Sequence, residues 1–163
     1  MKTIILPGFS LHNKQWAYDV QSHLGGDVVV HEWKHWTTGN DKDFSEQELT
    51  RIVNLIGDSS VNIIGKSVGA YIAVKTIQKI GERQIHKLIL CGVSTSPTFI
   101  FNSLGIMDPK VVLCFQNAHD PFLSFQAAKN FLNLARSKIR IVEKPRGDHE
   151  YPYFGEFEEF LKN

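Results

Sequence analysis

Short runs of β-branched and aliphatic residues alternate along the chain with longer segments whose apolar positions recur at helical spacing. The runs Lys2–Leu6, Val28–Trp33, Val61–Gly65, Lys87–Gly92, Lys110–Gln116 and Lys138–Glu143 predict strands. Several are continuously apolar, the pattern of strands covered on both faces. Between them, Trp16, Val20 and Leu24 share one helical face, and Ala70, Ala73, Val74 and Ile77 share another, which Gly81 is placed to end. Phe125, Ala128, Leu132 and Ala135 give a third stripe, and Phe154, Phe157 and Leu161 the last. Ser45-Glu46-Gln47-Glu48 has the spacing of a capping box ahead of Leu49, Ile52, Val53 and Ile56.

This alternation over the whole chain, residues 1–163, predicts one α/β domain with about six mostly parallel strands, right-handed crossovers and helices on both faces. Ligands bind such sheets in the crevice outside the carboxyl ends of the strands. The residues that follow each strand are therefore where chemistry is expected.

Composition changes this picture only at its margins. With 163 residues, 42% of them hydrophobic, the chain can build one proper core. Eighteen Lys plus Arg against 17 Asp plus Glu, with no basic run, argue against a nucleic-acid or membrane partner. Pro7-Gly8 ends the apolar run after Met1-Lys2 well short of the ~7–15 residues of a signal peptide, so a soluble, cytoplasmic protein is expected. Cys91 and Cys114 lie inside apolar runs without paired spacing and are expected as buried free thiols.

Three motifs compete for the chemistry. Gly65-Lys66-Ser67-Val68-Gly69 is a G-x-S-x-G directly between a predicted strand and a predicted helix. A nucleophile elbow requires that context because its serine sits in a strained turn, where flanking glycines remove side chains that would collide. The alternative for Ser67 is a plain helix N-cap. Gly65-Lys66-Ser67 is also close to the end of a phosphate-binding loop, but Ser60 stands where that motif needs its first glycine. His31-Glu32-Trp33-Lys34-His35 matches the H-E-x-x-H of zinc hydrolases, which needs both histidines on one helical face. Val28-Val29-Val30 ahead of it favours a strand, on which the two histidines stand about 13 Å apart, too far to share a zinc.

A nucleophilic Ser67 needs a base and an acid to orient that base. Asp120 follows the fifth predicted strand and His149 the sixth, on the same rim as Ser67, and the order Ser67…Asp120…His149 is that of a serine–acid–histidine triad. Asp120-Pro121 also spells a helix N-cap with proline at N1, and His149 in a Gly-Asp-His turn fits a surface residue equally. Asp148 is adjacent to His149 and badly placed to orient it. His12 and His119 are expected near the site without a catalytic part, and Lys66 is expected to aim away from Ser67.

With these residues the chain resembles the α/β-hydrolase superfamily from about Thr3 to its C-terminus. Leu6-Pro7-Gly8-Phe9-Ser10, followed by Trp16, is similar to the family's oxyanion loop, with Pro7 where the family usually has histidine. In size the chain is similar to the small cap-less serine hydrolases of the retinoblastoma-binding protein 9-like group. The resemblance implies a minimal α/β-hydrolase fold without a cap domain and a Ser67–His149–Asp120 triad. It also implies backbone N–H groups of Phe9 and Val68 as oxyanion donors, and hydrolysis of a carboxylic ester, thioester or amide through an acyl-enzyme. No cofactor and no metal are implied, and the expected partner is a small-molecule acyl substrate. The alternatives are a non-catalytic binding or regulatory protein on the same fold, or zinc chemistry at His31-Glu32-x-x-His35. Val93–Pro109 is too short for a cap domain. Its apolar side chains fit either a flap over the site or a plug in the core, and Phe99 and Phe101, with Phe122, are the expected contacts of a substrate in an open, apolar site. Phe9, Trp36 and Tyr151 are expected as further aromatic walls.

Overall fold

In the computed structural model, which covers residues 1–163, every predicted strand forms. They are β1 (Thr3–Leu6), β2 (Val28–Val30), β3 (Val61–Lys66), β4 (Ile85–Cys91), β5 (Val112–Asn117) and β6 (Arg140–Lys144). All pair in parallel in one six-stranded sheet of order β2-β1-β3-β4-β5-β6. Seven helices connect and flank them: α1 (Asn13–Leu24), α2 (His35–Thr38), α3 (Phe44–Ile56), α4 (Val68–Ile80), α5 (Pro97–Leu104), α6 (Phe125–Leu134) and α7 (Phe154–Lys162).

The continuously apolar strands are explained by two cores. Ile4, Leu6, Ile63, Leu88, Leu90, Val112 and Cys114 point to one face, where residues of α3, α4, α5 and α6 pack on them. Ile5, Ile64, Ile89, Cys91, Leu113 and Phe115 alternate to the other face, under α1 and α7. A period of two with both phases apolar is the signature of a sheet covered on both sides. The chain steps from β1 outward to β2 and then crosses back over β1 to β3. The strand order reverses there, so the crevice between the carboxyl ends of β1 and β3 is the topological switch point.

Two expectations are corrected, and one left open is decided. The second strand stops at Val30 rather than Trp33, and His35 opens the short helix α2. Ser45 does not cap α3, which starts at Phe44 behind Asp43 in a left-handed turn. The Glu48 carboxylate that a capping box would send back along the helix is instead buried on His31 and on the Lys34 N–H. Residues 93–109 form a plug rather than a flap, because α5 drives Ile100, Phe101 and Leu104 into the larger core at no more than 1% exposure. Both cysteines are free and buried. Burial pushes both thiols up, Cys114 to about 12.

Candidate active site

β3 runs directly into Ser67, which has φ 56° and ψ −119°, a conformation that L-residues hold only under constraint. The constraint is visible on both sides. A Cβ on Gly65 would lie 2.7 Å from the Gly69 carbonyl oxygen, and one on Gly69 would lie 1.9 Å from that of Leu6. The two glycines of the motif therefore let the turn close on itself and let α4 start against the end of β1. The Ser67 N–H is held by the Cys91 carbonyl at 2.8 Å, and α4 follows at once. Val68 is its first residue, so its N–H is one of the donors that a helix cannot satisfy internally.

On the other side of the switch point, the loop after β1 carries Phe9, whose N–H makes no backbone hydrogen bond. Gly8 lets the Asn13 side chain pack against the loop, since a Cβ there would lie 2.6 Å from it and displace it.

Asp120 and His149 meet although 29 positions apart, with Nδ1 of the imidazole 2.6 Å from Oδ2 of the carboxylate. Tyr151 donates its hydroxyl to the same oxygen at 2.6 Å, while Oδ1 accepts the N–H of Phe122 at 2.9 Å. The two sequence-based roles of Asp120 are thus divided between its oxygens. One orients the histidine and the other closes a turn, and the helix beyond, α6, has Ser124 as its cap. Burial raises the Asp120 carboxyl, but the bonds from His149, Tyr151 and the Phe122 N–H outweigh it and leave the group below the usual carboxylate range. Gly92, at the end of β4 with φ +62°, makes room for the assembly. A Cβ there would lie 2.8 Å from Cε1 of His149 and 2.7 Å from Cε2 of Tyr151. Nε2 of His149 is buried with no partner in the chain, and Ser67 Oγ rests 3.4 Å from Ser94 Oγ.

Ser67 and His149 share a cleft of about 380 Å³ with Phe9, Ser10, Phe122 and Glu150. Two of its nine lining residues, Phe9 and Phe122, are hydrophobic, yet most of the surface exposed in the cleft is apolar, as expected. Phe122 stands at its mouth, 69% exposed and edge-on to His149 with ring centres 4.7 Å apart. Phe101 and Phe99 do not reach it. Phe101 is fully buried in the core, and Phe99 packs on Tyr71. Tyr151 is likewise fully buried, beneath the site rather than in its wall. His12 lines the cleft and His119 does not. Asp148 is spent on the Arg146 guanidinium at 2.8 Å. Lys66 also lines the cleft, but its buried ammonium turns to Glu150 at 3.0 Å, a pair sequence spacing does not suggest across 84 positions. Burial raises the Glu150 carboxyl, but Lys66 together with His12 outweighs it and leaves the group below the ordinary value. A larger groove of about 500 Å³ between α4 and α5 contains none of Ser67, Asp120 and His149.

His31 and His35 go to different partners, Glu48 Oε2 at 2.7 Å and the Phe9 carbonyl oxygen at 2.8 Å. No group of three or more His, Cys, Asp or Glu side chains is placed to hold a metal ion. No helix is long and apolar enough to cross a membrane.

No protein-family model and no curated protein matches the sequence. Solved structures do match the fold. An α/β serine hydrolase without a lid from Xanthomonas campestris superposes with a TM-score of 0.64 at 18% identity, over 99% of this chain and 78% of that one. An α/β serine hydrolase homologue from Coxiella burnetii gives 0.69 at 19% identity, over 99% and 83%. An esterase from Exiguobacterium antarcticum gives 0.66 at 14% identity, over 99% and 89%. With the strained serine after β3, the acid after β5, the histidine after β6 and a single short helix between β4 and β5, the chain has the α/β-hydrolase fold in a form without a cap domain.

Proposed function

We propose that the protein is a serine hydrolase, a carboxylesterase in the broad sense, that cleaves a small ester, thioester or amide through an acyl-enzyme. One observation carries the proposal: His149 is tied to buried Asp120 through Nδ1, while Nε2 is left unpartnered in the cleft that holds Ser67. A histidine held at one nitrogen and free at the other is what a general base requires. In the reaction, Ser67 Oγ turns from Ser94 to Nε2, gives up its proton and attacks the substrate carbonyl. The N–H groups of Phe9 and Val68 take the developing oxyanion. The imidazolium, stabilised by Asp120, then protonates the leaving group, and water repeats the sequence on the acyl-serine. The modest volume of the cleft, about 380 Å³, favours short acyl groups over long hydrocarbon chains.

A fluorophosphonate probe tests this directly, because it reacts with an activated serine and not with a resting one. Labelling of the parent protein, lost in Ser67→Ala and in His149→Ala, is the expected result. Equal labelling of Ser67→Ala removes the nucleophile assignment. No labelling of the parent favours the non-catalytic binding protein.

A further inference from the structure

We infer that Trp33 is a positioning residue of the oxyanion loop: its buried indole N–H holds the Gly8 carbonyl so that the N–H of the same peptide, that of Phe9, faces the reacting carbonyl oxygen. The inference rests on the hydrolase reading and extends it to a residue outside the cleft.

The geometry is that of a rigid plane. In a trans peptide the C=O and N–H point in opposite directions and cannot rotate independently. Trp33 Nε1 donates to Gly8 O at 2.9 Å, and the ring is 1% exposed. Fixing that oxygen fixes the direction of the Phe9 N–H, which has no backbone acceptor and belongs to a residue lining the cleft. The next peptide is held as well. The Phe9 carbonyl accepts from His35 Nε2 and from Trp36 Nε1, both at 2.8 Å, and the Ser10 carbonyl accepts from Asn13 Nδ2 at 3.1 Å. Three successive carbonyls of the loop are therefore occupied by side-chain donors, those of Gly8 and Phe9 by residues outside the cleft lining.

The donors themselves are anchored. Glu48, 1% exposed on α3, accepts the Lys34 N–H at 2.8 Å and pairs with His31 at 2.7 Å, which fastens the segment that carries Trp33. The residues that spell a zinc motif in sequence thus form a brace between α3 and the oxyanion loop. A donor that must meet charge developing in the transition state gains from being fixed beforehand, since it then has no reorganisation to undergo.

The test deletes one N–H and keeps the ring. β-(3-Benzothienyl)alanine placed at position 33 has nearly the shape of tryptophan and no donor, and Trp33→Phe is the genetically simple companion. Active sites are first titrated with a fluorophosphonate, so that rates refer to folded, competent molecules. On a p-nitrophenyl ester we expect kcat per site to fall about 10- to 100-fold, below the ~10²–10³ lost when an oxyanion donor is removed outright. KM should change less than about two-fold. An aryl trifluoromethyl ketone, which forms the tetrahedral oxyanion on the serine, should weaken by the same factor as kcat/KM, a correspondence that a purely structural role does not produce. If the titre falls while kcat per site and ketone affinity hold, Trp33 only supports the fold and the inference is overturned. A parent that takes no fluorophosphonate overturns the hydrolase reading and this inference with it. A labelled parent with unchanged variants overturns this inference alone.

Discussion

At the scale of single residues, Asp120 shows why one side chain can satisfy two readings of its sequence. Oδ1 closes the turn at Phe122, and Oδ2 receives both His149 and Tyr151. Asp120→Asn keeps an acceptor for the turn but loses the charge that stabilises the imidazolium. We expect kcat to fall at least ~10²-fold with the fold retained, and Asp148→Asn, which weakens the Arg146 pair and keeps an acceptor for the Glu150 N–H, to stay near the parent. The reverse ranking of the two variants would move the orienting role to Asp148. Stability carries an independent sign. Because the carboxyl of Asp120 is lowered in the folded state, its contribution is full above the unfolded value of about 3.9 and is lost as pH falls through the folded value. Urea unfolding should therefore show the widest gap between parent and Asp120→Asn near neutrality, closing below about pH 4; a gap independent of pH would contradict it. Tyr151 shares Oδ2 and also accepts the Asn117 N–H at 3.2 Å. Tyr151→Phe strands that buried N–H, at a cost of about 1–3 kcal/mol. It also leaves Oδ2 wholly to His149, which favours the imidazolium. The acid limb of kcat/KM should then shift to higher pH than in the parent, and a limb that moves down or not at all counts against the shared-oxygen account.

At the scale of elements, what the sequence made legible is what local chemistry decides. The strand–turn–helix at Ser67 was readable because no residue but glycine tolerates 1.9 Å from a carbonyl oxygen, and the strand ends near Asp120 and His149 were readable because parallel sheets place loops on one rim. The errors have a common cause in long-range competition. Ser45-x-x-Glu48 has the spacing of a cap, but Glu48 is taken by His31 and Lys34 from another element. The Trp33–Gly8 and Lys66–Glu150 contacts span 25 and 84 positions and leave no periodic trace. A pair of glycines tests the elbow account. Gly69→Ala forces α4 away from Leu6 and Pro7 and should cost about 1–3 kcal/mol or more. Gly155→Ala in α7 meets nothing within 4 Å and should gain about 0.5 kcal/mol. Thermal unfolding of the two side by side should give shifts of opposite sign, and a tolerated Gly69→Ala would mean that the elbow is not packed on β1 in solution.

At the scale of the whole molecule, the two cores divide labour. The face under α1 and α7 includes Tyr151, and so carries the support for Asp120, whereas the larger face under α3 to α6 includes Trp33 and the α5 plug. The site lies between them at the point where strand order reverses, so each face braces one side of it: Tyr151 behind Asp120 and His149, Trp33 behind the loop after β1. With α5 consumed by the core and no cap domain, only residues at the mouth of the cleft are free to sort substrates. Two phenylalanines that look alike in sequence should therefore behave oppositely. Phe101, fully buried, is a core residue, and Phe101→Ala should cost about 3–5 kcal/mol while kcat and KM per titrated site stay at parental values. Phe122, 69% exposed against His149, holds up nothing, so Phe122→Ala should leave stability within about 0.5 kcal/mol. Its removal takes the aromatic wall from the mouth, and KM for an aryl ester should rise. Chemical denaturation and ester kinetics on both variants read the two effects separately. A raised KM in Phe101→Ala with stability intact would mean that α5 leaves the core to meet substrate, and would restore the segment as a flap.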